Sequence, residues 1–67
     1  MRFAELLRSH REGAGLSQEE LADRAGLHRT FISQVERGLK SPSLNSLVSL
    51  SRALDLKLSK FLHGMDD

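Results

Sequence analysis

The sequence has no cysteine, no tryptophan and no tyrosine, a single proline, and three phenylalanines among its 67 residues. Without cysteine there can be no disulfide framework, and the usual signature of a small secreted scaffold is missing. No stretch approaches the roughly 18 consecutive apolar residues that a membrane-spanning helix requires. The opening run MRFAELLRSH sets Arg2, Glu5 and Arg8 among its apolar residues, which excludes the hydrophobic segment of a signal peptide. The cytoplasm is therefore the expected location. Charge of one sign is scarce too: the net charge of +1 does not by itself argue for a nucleic-acid partner. Chains of about this size bury only about 60 % of the surface that they expose when unfolded. That leaves room for a few helices around one core and little for a deep substrate cleft.

What the sequence does have is helical pattern. It lacks runs of alternating β-branched residues and hairpin dipeptides, so no strand is expected. Five apolar-periodic segments, separated by short breakers, predict an all-α chain. The first covers about Phe3 to Glu12, with Phe3, Leu6, Leu7 and His10 at helical spacing and a stop at Gly13-Ala14-Gly15. The second opens at Ser17 with Glu20 three residues on, the spacing of a capping box. Leu16 before that cap and Leu21 inside it match a hydrophobic staple; Leu21, Ala22 and Ala25 face inward, and Gly26 is the expected left-handed stop. The third runs from about Arg29 to Arg37, with Ile32, Val35 and Glu36 on one face, and ends at Gly38. Ser43, following the polar connection around Pro42, caps a fourth helix whose apolar stripe is Leu44, Leu47, Val48, Leu50 and Leu54. A fifth spans Leu58 to Leu62 and is poorly capped, because Lys57 supplies no acceptor oxygen.

Charge is unevenly placed along these segments. From His28 to Lys40 there are Arg29, Arg37 and Lys40 against Glu36 alone; from Ser17 to Asp23 there are Glu19, Glu20 and Asp23 and no base. A basic patch beside an acidic helix face gives an oriented field. The short connection between the second and third helices contains Gly26 and predicts a sharp angle between them, as in a helix-turn-helix unit.

The runs Gly15-Leu16-Ser17-Gln18-Glu19-Glu20-Leu21-Ala22, Ala25-Gly26-Leu27, Ile32-Ser33-Gln34-Val35-Glu36-Arg37-Gly38 and Pro42-Ser43-Leu44 resemble the Cro/repressor-type (xenobiotic-response-element type) helix-turn-helix family. The likeness extends from Phe3 to about Leu62. It implies a compact five-helix, lambda-repressor-like domain over residues 1–67, with the helix-turn-helix at 17–37 and dimerisation at 57–65. In that family the third helix docks in the major groove of duplex DNA. Carried over, the base-facing residues are His28, Arg29, Thr30, Ser33 and Gln34. Arg29 has the fork for guanine O6 and N7, and Gln34 the amide for adenine N6 and N7. Gln18, Arg37, Lys40 and Ser43 fall at phosphate-contact positions. Arg11 and Glu36 fall where the family carries an internal ion pair, and Leu58, Phe61 and Leu62 at the pairing surface.

This sequence departs from the family pattern at His28, where Ser or Thr usually caps the recognition helix. It departs again at His10, more often leucine, and at Asp55 and Lys57, which replace the usual glycine and serine. No serine has a credible base and orienting acid arranged about it, and no phosphate-cradling glycine loop is present, so the chain is not read as an enzyme and no cofactor is expected. His63 with Asp66 and Asp67 has loose metal-like spacing in the tail and is read as solvated, with no metal.

The resemblance implies a sequence-specific transcriptional regulator that binds a palindromic operator as a homodimer. One such helix reads too few base pairs to select a site within a genome. With no second domain in the sequence, pairing is expected from the same five helices. The length resembles restriction–modification controller proteins and minimal phage-type repressors; an activator of this kind would have RNA polymerase as a further partner. The alternative is an antitoxin-like or partner-binding module on the same fold. RNA is disfavoured, since Phe31 alone offers little stacking surface and A-form RNA closes its major groove to a helix.

Overall fold

Helix punctuation in this chain is set by backbone hydrogen bonds that the sequence makes easy. A computed structural model describes residues 3–64, which form α1 (Phe3–Gly13), α2 (Gln18–Ala25), α3 (Arg29–Glu36), α4 (Leu44–Ala53) and α5 (Leu58–Gly64), with no strand among the described residues. Each boundary lies within two residues of the sequence expectation. At the start of α2 the Glu20 amide donates to Ser17 Oγ at 3.0 Å and the Ser17 amide donates to Glu20 Oε1 at 2.9 Å, completing the capping box. Ser43 caps α4, its Oγ accepting from the Ser46 amide at 3.1 Å.

The first four helices close in one way. At the end of α2 the Leu27 amide donates to the Ala22 carbonyl at 2.9 Å across Gly26, which sits at φ 68. This closure needs a left-handed residue, which glycine supplies without a Cβ penalty. Equivalent bonds run from Leu16 to Arg11 at 3.1 Å and from Leu39 to Gln34 at 2.8 Å. At α4 the Leu56 amide reaches the Ser51 carbonyl at 2.8 Å, but the left-handed position is Asp55, at φ 55. Aspartate in place of the usual glycine thus leaves the turn in place and puts a side chain in a conformation that L residues rarely adopt.

The core forms where the five apolar faces meet. Leu7, Leu21, Ile32, Val35, Leu50 and Phe61 are its largest fully buried side chains. Helix α2 packs on α3 and α4, α1 on α3 and α5, and α4 on α5. Phe61 is gripped by two edge-to-face contacts, from Phe3 at 5.3 Å and from His10 at 5.8 Å between ring centroids. An imidazole at residue 10, where leucine is more usual, therefore does aromatic packing work.

Two expectations need correction. Leu44 is not part of the buried stripe of α4: it is 64 % exposed, while Leu47 and Leu50 are buried and Leu54 packs half-buried against the core. Phe61 is entirely buried within its own chain, so its ring presents no surface for pairing. A ring that fills the gap between α1 and α5 closes the monomer core, and only the exposed Leu62 and half-buried Leu58 remain of the three. Met65, Asp66, Asp67 and the side chain of His63 lie outside the described residues.

Candidate nucleic-acid interface

The interface is held by one carboxylate. Glu36, on the inner face of α3, is completely buried, and Arg11 of α1, whose side chain is only 12 % exposed, grips it with a fork. Arg11 Nε donates to Glu36 Oε2 at 2.7 Å and Nη2 donates to Oε1 at 3.0 Å. The remaining Arg11 Nη1 donates to the Leu16 carbonyl at 2.8 Å, just before α2. Gln18 at the head of α2 donates from Nε2 to Glu36 Oε1 at 3.2 Å, and Arg8 adds a longer bond of 3.5 Å from a half-exposed position. Three helices therefore meet on Glu36. The expected Arg11–Glu36 pair is present, and Arg8 and Gln18 extend it.

Burial would raise the Glu36 carboxyl, but the hydrogen bonds from Arg11 and Gln18, the Arg11 charge and the Arg8 bond together outweigh it. They hold Glu36 below the usual carboxylate range. The same hydrogen bond raises Arg11 against the lowering effect of its own burial. No buried side-chain nitrogen or oxygen among the described residues lacks a partner, which is the condition under which a buried ionic network is tolerated.

With its inner face fixed by Ile32, Val35 and Glu36, α3 presents the opposite face outward. Gln18, Arg29, Thr30 and Ser33 line one open depression of about 340 Å³. It joins four of the residues singled out in the sequence, one from α2 and three from α3. Arg29 and Thr30 are exposed; Ser33 and Gln34 are half-buried further along the helix. His28 is exposed at the head of α3, with φ −84 and ψ 140, and its side chain makes no capping bond. It lines a second open depression of about 340 Å³ with Glu19, Ala22, Asp23, Leu27 and Arg29. Phe31 is half-buried and packs against the core.

The phosphate-position residues fall into two places. Gln18 is in the shared depression. Arg37, Lys40 and Ser43 are exposed beyond the other end of α3, where Lys40 borders a smaller hollow of about 220 Å³ with Phe3, Val35 and Pro42. Ser43 is engaged in capping, its Oγ lying 3.1 Å from Ser46 Oγ as well as from the Ser46 amide. An anion there would meet the free amides of the first turn of α4 more readily than the hydroxyl.

Two residues, Glu19 and Arg8, escaped the sequence reading. Glu19, the second residue of α2, accepts a hydrogen bond from Arg29 Nη1 through Oε2 at 2.9 Å. Both side chains are largely exposed, 65 % and 71 %. No helical spacing links the two positions; the turn at Gly26 brings them together. Arg8 was legible in principle, since it lies three residues before Arg11 on the same helix face.

The family model for helix-turn-helix proteins matches residues 7–61. The chain is similar to the uncharacterized HTH-type transcriptional regulator y4dL of Sinorhizobium fredii, with 52 % identity over 52 residues, 78 % of this chain and 26 % of that protein. It thus spans about a quarter of that relative's length. The crystal structure of the restriction-modification controller protein C.AhdI from Aeromonas hydrophila superposes with a TM-score of 0.86 at 41 % identity, covering 88 % of this chain and 89 % of that one. The P22 c2 repressor, solved in complex with a synthetic operator, superposes with a TM-score of 0.87 at 30 % identity, covering 96 % of this chain and 97 % of the chain in that structure. With the matched region running from α1 into α5 and the fold shared over nearly the whole chain, this protein belongs to the helix-turn-helix family of transcriptional regulators.

Proposed function

We propose that the protein is a cytoplasmic, sequence-specific regulator that binds duplex DNA as a homodimer on a palindromic operator, with α3 in the major groove. The observation that carries the reading is the grouping of Gln18, Arg29, Thr30 and Ser33 around one open face at the leading end of α3. In this arrangement Arg29 offers two parallel bonds to guanine, Gln34 the matching pair to adenine, and Thr30 a methyl for thymine or a hydroxyl for phosphate. His28, unburdened by capping, and Ser33 complete the base-facing set. Gln18, Arg37, Lys40 and the α4 head at Ser43 hold the backbone on the two sides of the groove.

The fold supplies the chain with a reader but not with a long reading surface, and two copies related by a dyad would read half-sites roughly 34 Å apart. Residues 57–65 remain the pairing segment in this proposal, through Leu62 and the outer part of Leu58, with Phe61 supporting them from inside. The likeness to C.AhdI favours a controller of restriction–modification genes, acting near a promoter and contacting RNA polymerase where it activates. The likeness to the P22 c2 repressor, solved with a synthetic operator, favours duplex DNA as the partner.

Enrichment of bound sites from a pool of random duplex DNA tests the reading. The expected product is a dyad-symmetric sequence with half-sites one helical turn apart, and binding whose log K falls with log salt by about 0.9 per phosphate contact. Recovery of no consensus, together with binding that ignores salt, would refute it and favour a protein-binding module. Sedimentation equilibrium that finds only monomer at tens of micromolar would remove the obligate homodimer.

A further inference from the structure

We infer that Glu19 is a positioning residue that sets specificity: it aims the Arg29 guanidinium at guanine and disfavours any sequence that fails to engage it. The inference rests on the reading of α3 as the DNA-reading helix and names a residue of that site outside the base- and phosphate-contact sets.

The geometry is specific. Glu19 takes Arg29 Nη1 and makes no other side-chain hydrogen bond among the described residues. The Nε–Nη2 edge of the guanidinium, which has no bond there either, keeps two parallel N–H groups, the fork that matches guanine O6 and N7. Carboxylate and base can therefore hold one guanidinium from two sides at once. Arg29 stands between the two open depressions, bordering one with Thr30 and Ser33 and the other with Glu19 and His28. Glu19 thus fixes which way a long, mobile side chain leans before DNA arrives.

Charge supplies the selectivity. Duplex DNA carries one negative charge for about every 1.7 Å of its axis, and a carboxylate carried to the mouth of the groove is repelled by it. While Arg29 bridges Glu19 to a guanine, that repulsion is offset. On other sequences Arg29 must either leave Glu19 for a phosphate, exposing an unpaired carboxylate to the backbone, or stay and forfeit the phosphate. Both outcomes penalise the wrong site, so Glu19 lowers affinity for DNA in general and raises discrimination.

The test compares two probes, the duplex recovered from a random pool by the unaltered protein and a 30-base-pair duplex of scrambled sequence, at one salt concentration. Glu19→Gln is expected to tighten the scrambled duplex by about 3- to 10-fold and to change the recovered duplex by less than about 3-fold, relaxing preference at one base pair per half-site. In an Arg29→Ala background Glu19→Gln should leave the ratio of the two affinities unchanged, because its lever is gone. Asp23→Asn removes a neighbouring carboxylate that borders the same depression without bonding Arg29, and is expected to move both probes together. Equal shifts on both probes for Glu19→Gln, the same loss of discrimination from Asp23→Asn, or persistence of the effect without Arg29 would each overturn the inference while leaving DNA binding in place. A Glu19→Gln protein that no longer melts close to the unaltered one would assign Glu19 to the fold and overturn it as well. Failure of the unaltered protein to bind either duplex would remove the DNA reading itself, and Glu19's role with it.

Discussion

Replacing Glu36 by alanine removes the carboxylate on which α1, α2 and α3 converge. The loss is not the net value of the ion pair, because burying both charges offsets most of their attraction. It is the cost of leaving Arg11, with a side chain only 12 % exposed, without its partner, and for a buried charge this runs to about 3–5 kcal/mol. Arg8 is half-exposed and can turn to water, and Gln18 is half-buried, so Arg11 dominates. A chain of this size holds only about 0.05–0.15 kcal/mol of stability per residue; the variant therefore sits near the edge of folding. Urea titration followed by helical circular dichroism is the assay, with thermal melting as a check. At about 4–8 °C per kcal/mol for a domain this small, the melting temperature should fall by well over 10 °C. An Arg11→Met, Glu36→Leu double variant should recover part of the loss, though not all, because the Leu16 carbonyl and the Gln18 amide each lose a bond. The sign with pH follows from the lowered Glu36 carboxyl. Its stabilising contribution is complete above the ordinary carboxylate value of 4.5 and is lost as pH falls through the lower folded value, so the gap between the two proteins should narrow in acid. A cost of a few tenths of a kcal/mol at neutral pH, or a gap that widens in acid, would refute the reasoning.

Four further outcomes are expected. Arg29→Ala should cost about 1–3 kcal/mol on the selected operator and relax specificity at one base pair, as read by titration against single-base variants of the site. Lys40→Ala should weaken specific and scrambled duplexes alike and flatten the salt slope by about 1, with the sequence preference unchanged. Asp55→Gly should stabilise the fold by about 0.5–1 kcal/mol in urea titration, since it removes a Cβ from a residue at φ 55; a loss of stability would show that the aspartate makes a compensating contact. His28→Ser supplies the missing hydroxyl cap at α3 and should raise the melting midpoint by an amount equivalent to about 0.5–1 kcal/mol, while any loss of operator affinity would measure what His28 gives to DNA.

Local chemistry was the most readable part of the sequence. Ser17, Glu20, Ser43 and the glycines at 15, 26 and 38 act through neighbours only a few residues away, so caps and stops could be placed directly. The apolar faces of α2 and α3 were readable for a related reason, because Leu21, Ala22, Ile32 and Val35 repeat at the helical period. Leu44 shows the limit of that signal: periodicity reports which side chains share a face, and α2 and α5 cover only part of the α4 face. Asp55 shows another, since the closure of α4 is strong enough to hold a left-handed turn without glycine. Phe61 was misplaced because its partners, Phe3 and His10, are brought to it only by the packing of α1 on α5.

The long-range polar contacts divide along the same line, and the division bears on function. The Arg11–Glu36 pair was legible through the family resemblance, whereas the bonds from Gln18 to Glu36 and from Arg29 to Glu19 depend on the angle between α2 and α3. Both occupy residues assigned to DNA. The head of α2 and the leading side chain of α3 are therefore held by acids of their own chain: Gln18 by a buried carboxylate, Arg29 by an exposed one. The first bond ends on a fully buried carboxylate at the junction of three helices, so it ties the head of α2 to α3. The second lies in solvent, where such a pair contributes little to stability, and DNA can compete for it. On the proposed function, the phosphate-contact side chain would thus be tied to the three-helix junction, while Arg29 would keep its Nε–Nη2 edge for a base and its Nη1 for Glu19.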